Sequence, residues 1–177
     1  MAQAQFAKDI PAPIAASLGR MIARFSYLEW RMAKTMFNLC GVDPKIGRIA
    51  IGAPRISDYP SRMKQVAYVV GLDLSPFPWS ALEKILREVK EERDTFAHSV
   101  WLKHSKRGVY MIQDTRGSWQ TASGEKISKR IHPEGRKITA QDLIALRNEI
   151  EKAIHQADDL ARFVNFLLQT YVRKSSA

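Results

Sequence analysis

Apolar residues recur along positions 11–40 at steps of three and four: Ile14, Leu18, Ile22, Phe25, Leu28, Met32, Met36 and Cys40. That is the period of one helix face. The pattern predicts a long first helix, opened by Pro11 and Pro13, where proline is tolerated. Gly41 stops it, with Asp43-Pro44 just beyond. A second helix is predicted from about Asp58 to Val70, with Met63, Val66, Ala67 and Val70 inward and Gly71 as its stop. A third opens at Ser80, where Ser80-Ala81-Leu82-Glu83 has the form of a capping box. Its apolar face is Leu82, Ile85, Leu86, Val89, Phe96 and Val100. Thr139 and Asp142 signal another cap, and from Leu143 to Tyr171 the helical period never lapses. A helix of about 34 residues there spans roughly 50 Å, enough to pack along the first helix and still reach another subunit.

Between these helices the pattern breaks twice. Residues 44–55 are interrupted by glycine and proline and read as a loop with a short helical turn. After Val100 the segments Trp101–His104 and Val109–Ile112 look strand-like, joined around Lys106-Arg107-Gly108. Further turns fall at Arg116-Gly117 and Ser123-Gly124. The fold class expected is all-α: an antiparallel bundle of about four main helices, with a small β-hairpin or meander inserted before the long C-terminal helix. The 177 residues make one domain on this reading, with the β insertion at about 100–137.

Composition adds a direction. The net charge is +10 and the pI about 9.9, which favours an anionic partner such as RNA or a nucleotide. One cysteine, Cys40, excludes an intramolecular disulfide and suits a reducing cytoplasm. Neither a signal peptide nor a membrane span is evident. His104, His132 and His155 show no metal-ligand spacing, so no cofactor is expected.

Charge is unevenly placed. Residues 101–137 hold nine basic and three acidic residues, six of the ten excess charges. Lys103, Lys106 and Arg107 lie there, among Trp101, Tyr110 and Trp119. Basic residues interleaved with aromatics suit single-stranded RNA, through phosphate neutralisation and base stacking; a solvated surface over a packed small sheet is the plainer alternative. On the first helix Arg20, Arg24 and Arg31 share a face with no interleaved acid, either a binding stripe or a solvated face. The one acid of that helix, Glu29, falls in the middle of the apolar face. Either it is tolerated near solvent at the helix edge, or it is buried and holds Arg93 or His98, because burying a carboxylate alone is costly.

One stretch concentrates chemistry: Glu91-Glu92-Arg93-Asp94-Thr95-Phe96-Ala97-His98-Ser99. A guanidinium grips phosphate oxygens, and an imidazole moves protons near neutral pH. The same residues also fit an ion-paired arginine and a helix-end histidine. Arg93-Asp94-Thr95-Phe96-Ala97-His98 resembles the motif of HEPN domains: Arg, a polar residue, three residues of any kind, then His. Many bacterial members have Arg-Asn-x-x-Ala-His-Gly; here Asp94 stands for Asn and Ser99 for Gly.

The resemblance implies a metal-independent endoribonuclease, toxin-like or RNA-processing, whose homodimer joins two such motifs in one cleft. In that scheme His98 is the acid or base, Arg93 stabilises charge on the phosphate, and Asp94 orients one of them; a buried Glu29 holding Arg93 or His98 would be consistent with it. An antitoxin-type protein partner would fit it. The alternative is a non-catalytic helical dimer that binds RNA, a nucleotide or a protein, with Arg93 and Glu29 as a structural ion pair.

Overall fold

The computed structural model describes residues 10–52, 54–103, 110–114, 119–120, 126–127 and 136–175. The fold is all-α. Its helices are α1 (Ala12–Leu39), α2 (Pro44–Ile51), α3 (Tyr59–Val69), α4 (Trp79–His98) and α5 (Ala140–Ser175), with one 3-10 turn at Ile56–Asp58. Short strands lie between α4 and α5: β1 (Ser99–Lys103), β2 (Tyr110–Asp114), β3 (Trp119–Gln120), β4 (Lys126–Ile127) and β5 (Arg136–Ile138). Among the described residues, no helix is long and apolar enough to cross a membrane.

Local chemistry sets the helix ends. At the end of α1, Val42 N–H donates to the Phe37 carbonyl (3.1 Å) and Gly41 N–H to that of Asn38 (3.0 Å). This is the paired closure that terminates a helix on a left-handed residue. The same pair recurs after α3, from Leu72 to Ala67 (2.8 Å) and Gly71 to Tyr68 (3.3 Å). Residues 44–51, read from sequence as a loop with one turn, form the two-turn helix α2. Asp43 caps it by accepting from Lys45 N–H at 2.8 Å, and Pro44 takes the first position. Gly47 lets α2 lie on the end of α1: a Cβ there would meet Phe37 Cδ1 at 2.5 Å. Helix α4 begins at Trp79, one residue before the expected cap, and Glu83 accepts from Lys64 Nζ of α3 (2.6 Å).

Contacts divide the chain into two compact units: Met1–Ile22 with Glu91–Arg147, and Ala23–Lys90 with Asn148–Ala177. In the first, β1, β2 and β5 form an antiparallel sheet in that order, with Trp101 opposite Ile112 and Ile112 opposite Arg136. Strands β3 and β4 pair separately. Its buried residues include Ile14, Met21, Phe96, Trp101, Ile138 and Leu143. Trp101 is therefore packed inward, away from solvent. Thr139 opens α5 as expected: its N–H and its hydroxyl each donate to Asp142 Oδ2 at 2.7 Å. Arg136 ties β5 to α4, its guanidinium donating to both Glu92 oxygens (3.0 and 2.7 Å) and lying 5.6 Å from the centre of the Phe96 ring.

In the second unit, Phe25, Leu28, Met32 and Met36 of α1 are buried, as are Met63, Leu82, Leu86, Ile154, Leu160 and Val164. Phe77 packs edge-on to Trp79 (5.2 Å between centres), and the Trp79 indole N–H donates to the Leu74 carbonyl (2.8 Å). Arg24 pairs with Glu151 at 2.7 Å, and Arg31 pairs with Asp158. Both partners step seven residues in the same sense, so α1 and α5 run parallel in this unit. The antiparallel expectation does not extend to this pair. Three long helices (α1, α4 and α5) can alternate in direction and still return the first and last to the same sense.

Candidate functional site

The 93–98 stretch forms the last two turns of α4, within the first unit. Adjacent residues on a helix point about 100° apart, and residues five apart about 140°. Arg93 and His98 therefore do not share a stripe. Asp94 bridges the difference. It lies four residues before His98, which places the two on one face as surface neighbours. It also holds Arg93: Nη1 stands 2.9 Å from Asp94 Oδ1. The two side chains are 24% and 16% exposed, neither sealed in the core nor free in solvent.

His98 is the final helical residue and is exposed. The chain turns into β1 directly after it, where Ser99 Oγ donates to the Thr95 carbonyl at 2.5 Å and Thr95 Oγ1 to that of Glu91 at 2.9 Å. The first bond occupies a carbonyl of the last turn that has no helical partner, and the second adds to a carbonyl inside the helix. The result is an exposed imidazole at the helix end, a carboxylate one turn before it, and a guanidinium held by that carboxylate. Such a set can exchange a proton and neutralise a phosphate. Glu92, which precedes Arg93 in sequence, holds Arg136 of β5.

Glu29 belongs to the second unit. It is half-buried and lines a cavity of about 530 Å³ with Trp30, Arg48, Arg55 and Tyr59. Burial first, and then the Glu29 carboxylate, push the Tyr59 phenol above its ordinary pKa, while Arg48 and Arg62 oppose the shift. This explains a carboxylate on the apolar face of α1: it borders a cavity. Sequence reasoning missed Trp30, Arg48, Arg55 and Tyr59. The Asp43-Pro44 helix start was the signal that could have placed Arg48 on a helix.

The basic residues separate. Arg20 is exposed on α1. Arg24 and Arg31 are engaged by α5 carboxylates, with Arg31 Nε donating to Asp158 Oδ1 at 2.6 Å. The acids missing from α1 thus come from another helix. The Lys103 side chain and all of Lys106 and Arg107 lie outside the described residues, as do His104 and His132. Among the described residues, no three His, Cys, Asp or Glu side chains gather as a metal site. No family model, curated protein or solved structure matches the chain.

Proposed function

We propose that the chain cleaves RNA through Arg93, Asp94 and His98, in the manner of the HEPN ribonucleases that this motif resembles. The observation that supports it most is the exposed His98 imidazole on the same α4 face as Asp94, the carboxylate that holds Arg93 at 2.9 Å. In the reaction an imidazole takes the proton of a ribose 2′-hydroxyl. The 2′-oxygen bonds to the adjacent phosphorus, and the bond to the 5′-oxygen breaks. That oxygen leaves with a proton from a second acid. Arg93 neutralises the charge that builds on the non-bridging oxygens, and Asp94 orients it. The products are a 2′,3′-cyclic phosphate and a 5′-hydroxyl, and the scheme needs only side-chain groups. One motif supplies one histidine, so acid and base together call for two copies of the chain, joined as a homodimer.

End-group analysis tests the chemistry. An oligonucleotide with a single ribose in a deoxy background should be cut only after that ribose, leaving the cyclic phosphate. Cleavage at deoxy positions, or a 3′-hydroxyl product, would refute it. The second reading, a non-catalytic module, draws on the same ion pair: a guanidinium already satisfied by Asp94 can be purely structural. On that reading His98→Ala changes nothing.

A further inference from the structure

We propose that the cavity of the second unit binds a nucleoside monophosphate, with Trp30 under the base, Arg48 and Arg55 on the phosphate, and Glu29 at the base edge. His98 is not among the residues that line it, and the proposal stands independently of the cleavage reading.

The placement comes from a second stripe on α1. Ser26, Glu29, Trp30, Ala33 and Phe37 follow the helical period, and all five line the cavity. Arg48 of α2 closes it, with Arg55 before the 3-10 turn and Tyr59 at the start of α3. The volume, about 530 Å³, lies inside the range of about 300–1,000 Å³ usual for small-molecule sites. Two guanidiniums face one carboxylate, so the lining favours an anion, and guanidinium forks match phosphate oxygens in geometry. Trp30 is 42% exposed, an unusual exposure for a large aromatic inside a concavity. It also borders a smaller cavity of about 170 Å³, where Lys34 lies 5.2 Å from its ring centre.

An indole offers a flat surface on which any base can stack. A carboxylate accepts up to about four hydrogen bonds, so Glu29 can take ring-edge N–H donors besides its contacts within the protein. Guanine offers two such donors side by side. Burial raises the Tyr59 pKa, Glu29 adds to that and Arg48 opposes it, so both charged groups act on one phenol. Inorganic phosphate would use only the guanidiniums, and a nucleoside only the indole and the carboxylate. A nucleoside monophosphate uses all of them.

Calorimetric titration of the full chain with GMP, guanosine and inorganic phosphate tests the assignment. The expected result is one GMP per chain, with guanosine and phosphate each weaker by about tenfold or more. Arg48 and Arg55 are exposed, so Arg48→Ala and Arg55→Ala should melt like wild type while weakening GMP about tenfold each. Trp30→Ala should weaken it by about five- to a hundredfold, and His98→Ala should leave it unchanged. Glu29→Gln should narrow the preference for GMP over UMP. Phosphate binding as tightly as GMP would reduce the cavity to an anion site and overturn the proposal. So would loss of GMP binding in His98→Ala, unchanged affinity in both arginine variants, or no binding of GMP at millimolar concentration.

Discussion

Replacing Gly47 by alanine probes how α2 is seated. A built Cβ meets three ring atoms of Phe37, at 2.5, 2.7 and 2.8 Å. Carbon atoms in good contact lie about 3.5–4.0 Å apart, so the ring or α2 must move by about 1 Å. Phe37 is 2% exposed, which leaves its ring little room. Overpacking of this kind costs about 1–3 kcal/mol. Against it stands the helix preference of alanine over glycine, about 0.8–1.0 kcal/mol. Gly19 supplies the control: it lies inside α1 and has nothing within 4 Å of its built Cβ. Gly19→Ala should stabilise by up to about 1 kcal/mol. The difference between the two variants isolates the steric term, because propensity cancels. Urea denaturation should place Gly47→Ala about 1–3 kcal/mol below Gly19→Ala, with unchanged slopes. Equal stabilities would refute the close approach of α2 to Phe37, and with it the shape of the cavity they both line.

The α1–α5 ion pairs should rank by exposure. Asp158→Ala, removing the partner of the 20%-exposed Arg31, should cost about 1.5–3 kcal/mol in chemical denaturation, and Glu151→Ala, paired to the half-exposed Arg24, no more than about 1 kcal/mol. Similar small effects would contradict that packing. Tyr59 predicts an alkaline limit: its pKa is raised above 10.0, so the stability from a neutral phenol is complete below that pH and is lost as pH rises through the folded-state value. Tyr59→Phe should flatten that alkaline decline, and an identical pH profile would sink the assignment. Replacing Lys106 and Arg107 together should reduce the slope of log RNA affinity against log salt by about 0.7 for each phosphate no longer neutralised; filter binding at several salt concentrations reads it, and an unchanged slope makes these charges solvated surface.

Periodicity made the long helices legible, because each buries an apolar face. The period predicts a helix over 11–40, and α1 spans Ala12–Leu39; it predicts another over 58–70, and α3 spans Tyr59–Val69. Glycine stops were legible too, since closing bonds after Leu39 and Val69 are local. Helix α2 was not. Gly47 lowers helix propensity and suggests a break, and the reason for it, the Phe37 ring, lies ten residues away in sequence. Period alone places Ile22 inward, but it is 40% exposed. The partners of Arg24 and Arg31 lie 127 residues further along the chain, beyond what one helix's pattern can carry. At the candidate site the motif marked Arg93 and His98. Asp94 links them: its spacing to His98 is in the sequence, but its grip on Arg93 is a matter of side-chain geometry.

Cleavage of single-stranded RNA in excess chelator, by wild type and by His98→Ala, bears most directly on the proposed chemistry. His98 is exposed at a helix end, so its replacement should shift stability by no more than about 0.5 kcal/mol, and a matched melting temperature confirms that only chemistry has been touched. The proposed chemistry requires cleavage by wild type that chelator leaves intact and that His98→Ala abolishes. Equal cleavage by the two proteins, or none by wild type as a dimer, would contradict it.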